Sequence, residues 1–97
     1  MRTFVLISAL FMLPACSTHE DVDGAALASE KGCVACHGID GQAAAAIYPN
    51  LDGQWERYLR VQLLRYRDGK RSNAIMNGFA STLSDEEIRA LAEHYGS

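Results

Sequence analysis

The sequence predicts an all-α domain of about three main helices joined by long loops. Two segments repeat apolar residues at helical spacing, one of them behind a capping box, and no alternating β-branched run occurs anywhere in the chain. The 97 residues suffice for a single domain. With 48% hydrophobic and 22% charged residues, the composition is that of a globular chain and excludes a disordered or collagen-like one.

Taken in order, Met1 and Arg2 precede an apolar run from Phe4 to Leu13. That run is too short to cross a bilayer, which needs a helix of about 20 residues, and it reads as the core of a signal peptide over residues 1–15. Leu13-Pro14-Ala15-Cys16 then resembles the lipobox of bacterial lipoproteins, with Cys16 as the lipidated residue and 16–23 as a polar tether. Ala15-Cys16-Ser17 also satisfies the small-x-small rule for ordinary cleavage after Ser17. Both routes take Cys16 out of the cysteine count and leave an even pair for an exported domain over 24–97.

Asp23 can cap a first helix over Gly24 to Lys31. A second helix follows from Trp55, where Tyr58, Leu59, Leu63 and Tyr66 share one face, with Asp52 as N-cap and Asp68-Gly69 as its end. Ser84-Asp85-Glu86-Glu87 is the capping box of the last helix, whose apolar face is Ile88, Leu91, Ala92 and Tyr95. The first and last helices are expected to pack through Leu27 and Ala28 against Leu91 and Tyr95, because both faces are too apolar to stay in water. Residues 38–51 and 72–83 keep neither periodicity for long and are expected to be loops.

So small a chain buries a modest core, and domains of this size commonly recruit a covalent or metal staple. Cys33-Val34-Ala35-Cys36-His37 names one: C-x-x-C-H is the attachment signature of c-type haem. On a helical turn, residues i and i+3 share a face, so both thiols can add to the vinyl groups of one porphyrin edge, with His37 as proximal ligand. Two other chemistries use C-x-x-C. A redox disulfide wants a βαβ context, which this chain lacks, and half a zinc site would find only His19 and His94 as other histidines, with no second Cys pair to complete a tetrahedral set. For the sixth position of the iron, Met1 is the initiator and Met12 lies in the signal segment, which leaves Met76. A lone Met can also fill a core gap.

CVACHG, then Pro49-Asn50-Leu51, then Met76 ahead of a terminal helix, resembles the class I cytochromes c. Gly53-Gln54, Tyr58-Leu59, Gln62-Leu63, Tyr66, Gly69, Arg71, Asn73, Ala80 and Leu83-Ser84-Asp85 are similar to a single haem domain of the two-haem "c-four" group of bacterial cytochromes. The resemblance covers about residues 24 to 96 and implies the cytochrome c fold, with loops wrapping one covalent haem c. It also implies that the Pro49 carbonyl accepts the proximal imidazole N–H and that Leu51, Tyr58, Leu59 and Leu63 line the haem crevice. Gln62, amid the apolar face, should find a polar partner such as a haem propionate or a loop carbonyl.

Acidic residues outnumber basic ones, with a formal net charge of −3, which gives no support for nucleic acid binding. Basic residues concentrate between 56 and 71, where Arg57, Arg60 and Arg67 fall opposite the apolar face of the second helix. That is either a solvated face or a docking patch for an acidic redox partner. His94, off the apolar stripe, sits favourably near a helix C-terminus. The expected protein is thus a periplasmic, monomeric, one-haem electron carrier with His37 and Met76 as iron ligands, held at a membrane through Cys16, serving membrane-bound redox proteins and catalysing no reaction of its own. A haem-based sensor of small ligands and a haem subunit of a larger oxidoreductase are the alternatives.

Overall fold

A computed structural model describes residues 3–5, 8–9 and 21–97. Cys16, His19, Met12 and most of the expected signal segment lie outside the described residues. Five helices follow in order: α1 (Gly24–Glu30), α2 (Val34–His37), α3 (Glu56–Arg67), α4 (Ala74–Ala80) and α5 (Asp85–Tyr95). The described residues contain no strand.

Local chemistry starts α1 and α5 where the sequence places them. Asp23 Oδ1 accepts the Ala25 and Ala26 N–H groups at 3.0 and 3.2 Å. At α5 the capping box closes in both directions: Ser84 Oγ accepts from Glu87 N at 3.1 Å and Glu87 Oε1 accepts from Ser84 N at 3.0 Å. Asp85, Glu86 and Glu87 add negative charge where the helix dipole is positive.

The core forms where α5 meets α1 and α3. Leu27 and Ala28 of α1, Leu59 of α3, and Ile88, Leu91, Ala92 and Tyr95 of α5 are buried in one cluster, so the expected pairing of the first and last helices is present. The two helices approach to backbone contact at Gly24, where a Cβ would lie 2.1 Å from the Ala90 carbonyl oxygen. Arg67 fastens α3 to the start of α5, donating to Asp85 Oδ1 at 2.6 Å and to the Leu83 carbonyl at 3.3 Å.

Two elements differ from expectation. The N-cap of α3 is Trp55, in extended conformation and without a side-chain cap, and not Asp52. Asp52 closes a loop instead, its N–H donating to the Gly41 carbonyl at 3.1 Å beside Leu51 N at 2.7 Å. The second difference is α4, which lies inside the 72–83 segment expected to be a loop. It is seven residues long and contains Gly78, so its apolar pairs Ile75-Met76 and Phe79-Ala80 repeat only once and set no sustained period. The predicted stop of α3 is correct: Gly69 takes φ +74°, a left-handed turn that ends the helix.

Candidate functional site

Cys33, Cys36 and His37 occupy the single turn of α2, with Cys33 already helical at the N-cap and its carbonyl accepting from His37 N at 2.9 Å. Cys33 and Cys36 are not joined to each other in a disulfide. Burial pushes the Cys33 thiol above its ordinary pKa, against smaller opposing effects of its backbone hydrogen bond and of Lys31. Among the described residues no group of three or more His, Cys, Asp or Glu could hold a metal ion.

The loop after α2 exists to turn the chain back on His37. Gly38 takes φ +79°, in close contact with the Gln42 carbonyl, and Gly41 takes φ +89° where it meets Leu51 and Asp52. Asn50 Oδ1 accepts from Ala43 N at 2.7 Å and Ala44 N donates to the Cys36 carbonyl at 3.0 Å. The folded loop brings the Pro49 carbonyl to 3.0 Å from His37 Nδ1. A carbonyl only accepts, so Nδ1 carries the proton and Nε2 is left with its lone pair.

Two residues at the end of α5 hold the same loop from the other side. The Tyr95 hydroxyl donates to the Gly38 carbonyl at 2.8 Å, and His94 Nε2 donates to the Ile39 carbonyl at 2.7 Å. The two rings meet edge to face with centroids 4.6 Å apart. Desolvation, followed by the nearby Cys33 and Asp40, pushes the Tyr95 phenol up to about 12. Sequence reading gave Tyr95 a packing role and His94 a favourable helix end; neither bond to the loop has a local sequence signal.

An apolar cleft gathers Cys33, His37, Pro49, Leu51, Tyr58, Leu59, Leu63 and Met76. Cys36 is not among its lining residues but shares the α2 turn with Cys33. Half-buried Met76 belongs to α4, whose N-cap Asn73 accepts the Ile75 and Met76 N–H groups through Oδ1 at 3.1 and 3.0 Å. Gln62, Tyr66 and Arg71 complete one wall. The partner of Gln62 is Arg71, which donates to its Oε1 at 2.7 Å and lies 4.8 Å above the Tyr66 ring.

The anticipated basic face divides. Arg67 pairs with Asp85 and Asp68, which raise its pKa, and it belongs to the joint between α3 and α5. Arg57 and Arg60 border a separate groove with Val61, Leu64, Glu86 and Arg89.

These residues fit a covalent haem. Two thiols stand at i and i+3 on one helical turn, a neighbouring imidazole keeps Nε2 free by donating through Nδ1, and an apolar cleft joins that imidazole to a thioether. The cytochrome c family model matches residues 22–95. Cytochrome c-554(548) of Halomonas halodenitrificans is 52% identical over 68 residues, 67% of this chain and 82% of that one. Cytochrome c4 of Pseudomonas aeruginosa is 37% identical over 95 residues, 96% of this chain but 47% of its own length. The solved structure of Acidithiobacillus ferrooxidans cytochrome c4 superposes with a TM-score of 0.69 at 31% identity, over 76% of this chain and 46% of that one. The chain therefore spans about half the length of either cytochrome c4. By sequence and by fold it belongs to the cytochrome c family, as a class I haem electron-transfer protein of the c4 type carrying covalently bound haem c.

Proposed function

We propose that the chain is a one-haem electron carrier of the bacterial periplasm, with the haem attached through Cys33 and Cys36 and the iron held by His37 and Met76. The observation that carries this reading is the His37 Nδ1 to Pro49 carbonyl bond, at 3.0 Å, in the same apolar cleft as Met76. When bound, the haem supplies a one-electron Fe(III)/Fe(II) couple.

The chain's own residues do the rest. The hydrogen bond to Pro49 fixes the imidazole plane and tautomer, leaving the Nε2 lone pair for the iron. Leu51, Tyr58, Leu59 and Leu63 exclude water from the cleft, and two protein ligands leave no site for oxygen or peroxide. In this reading the protein acts as a carrier between redox proteins.

Location follows from residues outside the described part of the fold. Lipidation at Cys16 would hold the monomer at the periplasmic side of a membrane, and residues 17–23, which reach about 25 Å at most when extended, would keep it near membrane-bound partners. Among the described residues no helix is long and apolar enough to cross a membrane itself. Intact mass spectrometry tests the anchor: a diacylglycerol-bearing chain starting at Cys16 supports it, and a product starting at Thr18 rejects it.

Absorbance spectroscopy tests the ligation. The ferric protein should show a thioether-to-iron band near the red end, and the reduced protein should not bind carbon monoxide. Met76→Ala should abolish the band, admit carbon monoxide and lower the reduction potential, because a thioether favours Fe(II) more than water does. Carbon monoxide binding by the unmodified protein would move the assignment to a sensor, and stable co-purification with a larger oxidoreductase would move it to a subunit.

A further inference from the structure

Asn77, the residue after Met76, uses both ends of its side chain on backbone groups. Nδ2 donates to the Tyr66 carbonyl at 2.8 Å and to the Arg71 carbonyl at 2.9 Å, while Oδ1 accepts from Asn73 N at 2.8 Å. Tyr66 belongs to the last turn of α3, where carbonyls lack intrahelical partners, and its other bond, from Gly69 N, is long at 3.4 Å. Arg71 lies in the connecting turn, and Asn73 is the N-cap of α4. One half-buried amide therefore ties the end of α3, the turn and the start of α4.

The contact at Asn73 is reciprocal. The Asn73 side chain accepts the Ile75 and Met76 N–H groups, and Asn77 accepts the Asn73 N–H, as a capping box does with Glu one position earlier. Little else secures α4. It has seven residues, below the length at which a helix has stability of its own, and Gly78 weakens it further. Among helices it packs on α3 alone, with Ala80 as its one buried residue, while Ile75 and Phe79 are 64% and 43% exposed.

The geometry points to Asn77 as a positioning residue that holds Met76 in the cleft and so governs how readily the iron's sixth position opens. This rests on the proposed His37/Met76 ligation. Removing the amide takes a partner from the part-buried Tyr66 carbonyl and from the exposed Arg71 carbonyl and Asn73 N–H, and frees the Met76 turn without touching the contacts between α1 and α5.

The test uses the haem-loaded protein, Asn77→Ala, Asn77→Ser and, as reference, Met76→Ala. Three readouts are needed: the ferric thioether-to-iron band against urea, carbon monoxide binding after reduction, and amide hydrogen exchange. In Asn77→Ala the band should vanish at urea concentrations that leave the far-ultraviolet helix signal intact. Carbon monoxide occupancy at fixed gas pressure should rise about tenfold or more, as expected for losing at least one such bond. Exchange at Ile75 and Met76 should quicken while α1 and α5 keep their protection. Asn77→Ser, too short to reach all three partners, should move each readout less in the same direction. Band and helix lost together at one lowered midpoint would overturn the inference, since Asn77 would then serve the whole fold. If Met76→Ala admits carbon monoxide while both Asn77 variants exclude it and exchange as the unmodified protein does, the inference alone fails. If Met76→Ala keeps the band, the ligation reading fails and takes the inference with it.

Discussion

Around His37 the hydrogen bonds join parts of the chain far apart in sequence, whereas around Met76 they run among near neighbours. The Gly38 and Ile39 carbonyls are met by Tyr95 and His94 from 57 and 55 residues away, and the Pro49 carbonyl returns to His37 across 12. The polar contacts of α4 begin no further back than Tyr66. His37 therefore cannot shift without disturbing α5 and the core, while the Met76 turn can open with most of the fold intact. Stability that is unevenly distributed in this way would make one of the two proposed iron ligands fixed and the other the first to yield.

The largest effect should come from attacking the His37 side at Tyr95, only 6% exposed. Tyr95→Ala removes a core ring and the bond to Gly38 and should cost about 3 to 5 kcal/mol in urea unfolding of the haem-loaded protein. A loss within the scatter of surface substitutions, about 0.5 kcal/mol, would mean that α5 does not brace the loop. On the Met76 side, Asn73→Ala deletes a helix cap and should cost only about 1 kcal/mol. Its signature is a difference in order, with the thioether-to-iron band lost before the helix signal; simultaneous loss would erase the contrast between the two sides.

The smallest effect is a pH dependence. Tyr95 ionises near 10 when unfolded and at about 12 in the folded protein. Between those values the folded state holds the proton that the unfolded state has released, so the contribution is complete below pH 10 and disappears as pH rises toward 12. Subtracting the pH profile of Tyr95→Phe from that of the parent isolates this term. A flat difference over that window would show the phenol to be less buried than its packing indicates.

The same contrast decides what a single sequence could reveal. Ser84 with Glu87, and Asp23 ahead of an apolar turn, are legible because a cap and its recipient lie within three residues. Asp52 looked equally good as a cap, but the turn at Gly41 engages its backbone and leaves Trp55 to start α3. α4 escaped notice because its apolar pairs Ile75-Met76 and Phe79-Ala80 repeat only once, over seven residues that include Gly78. In the cleft, C-x-x-C-H and the lone Met76 stand out by residue type, and Pro49 only through resemblance to a family. The bracing by His94 and Tyr95 has no local signature, since nothing near residue 95 announces a carbonyl 57 positions earlier.

The pairing of α1 with α5 also constrains when the protein can fold. Among the described helices, α1 touches the short α2 and otherwise packs on α5 alone. A growing polypeptide that has not yet produced Leu91 and Tyr95 has the haem motif and the helices before α5, but lacks the α5 side of the core. Closure of the α1–α5 contact must therefore wait until Leu91 and Tyr95 have been made.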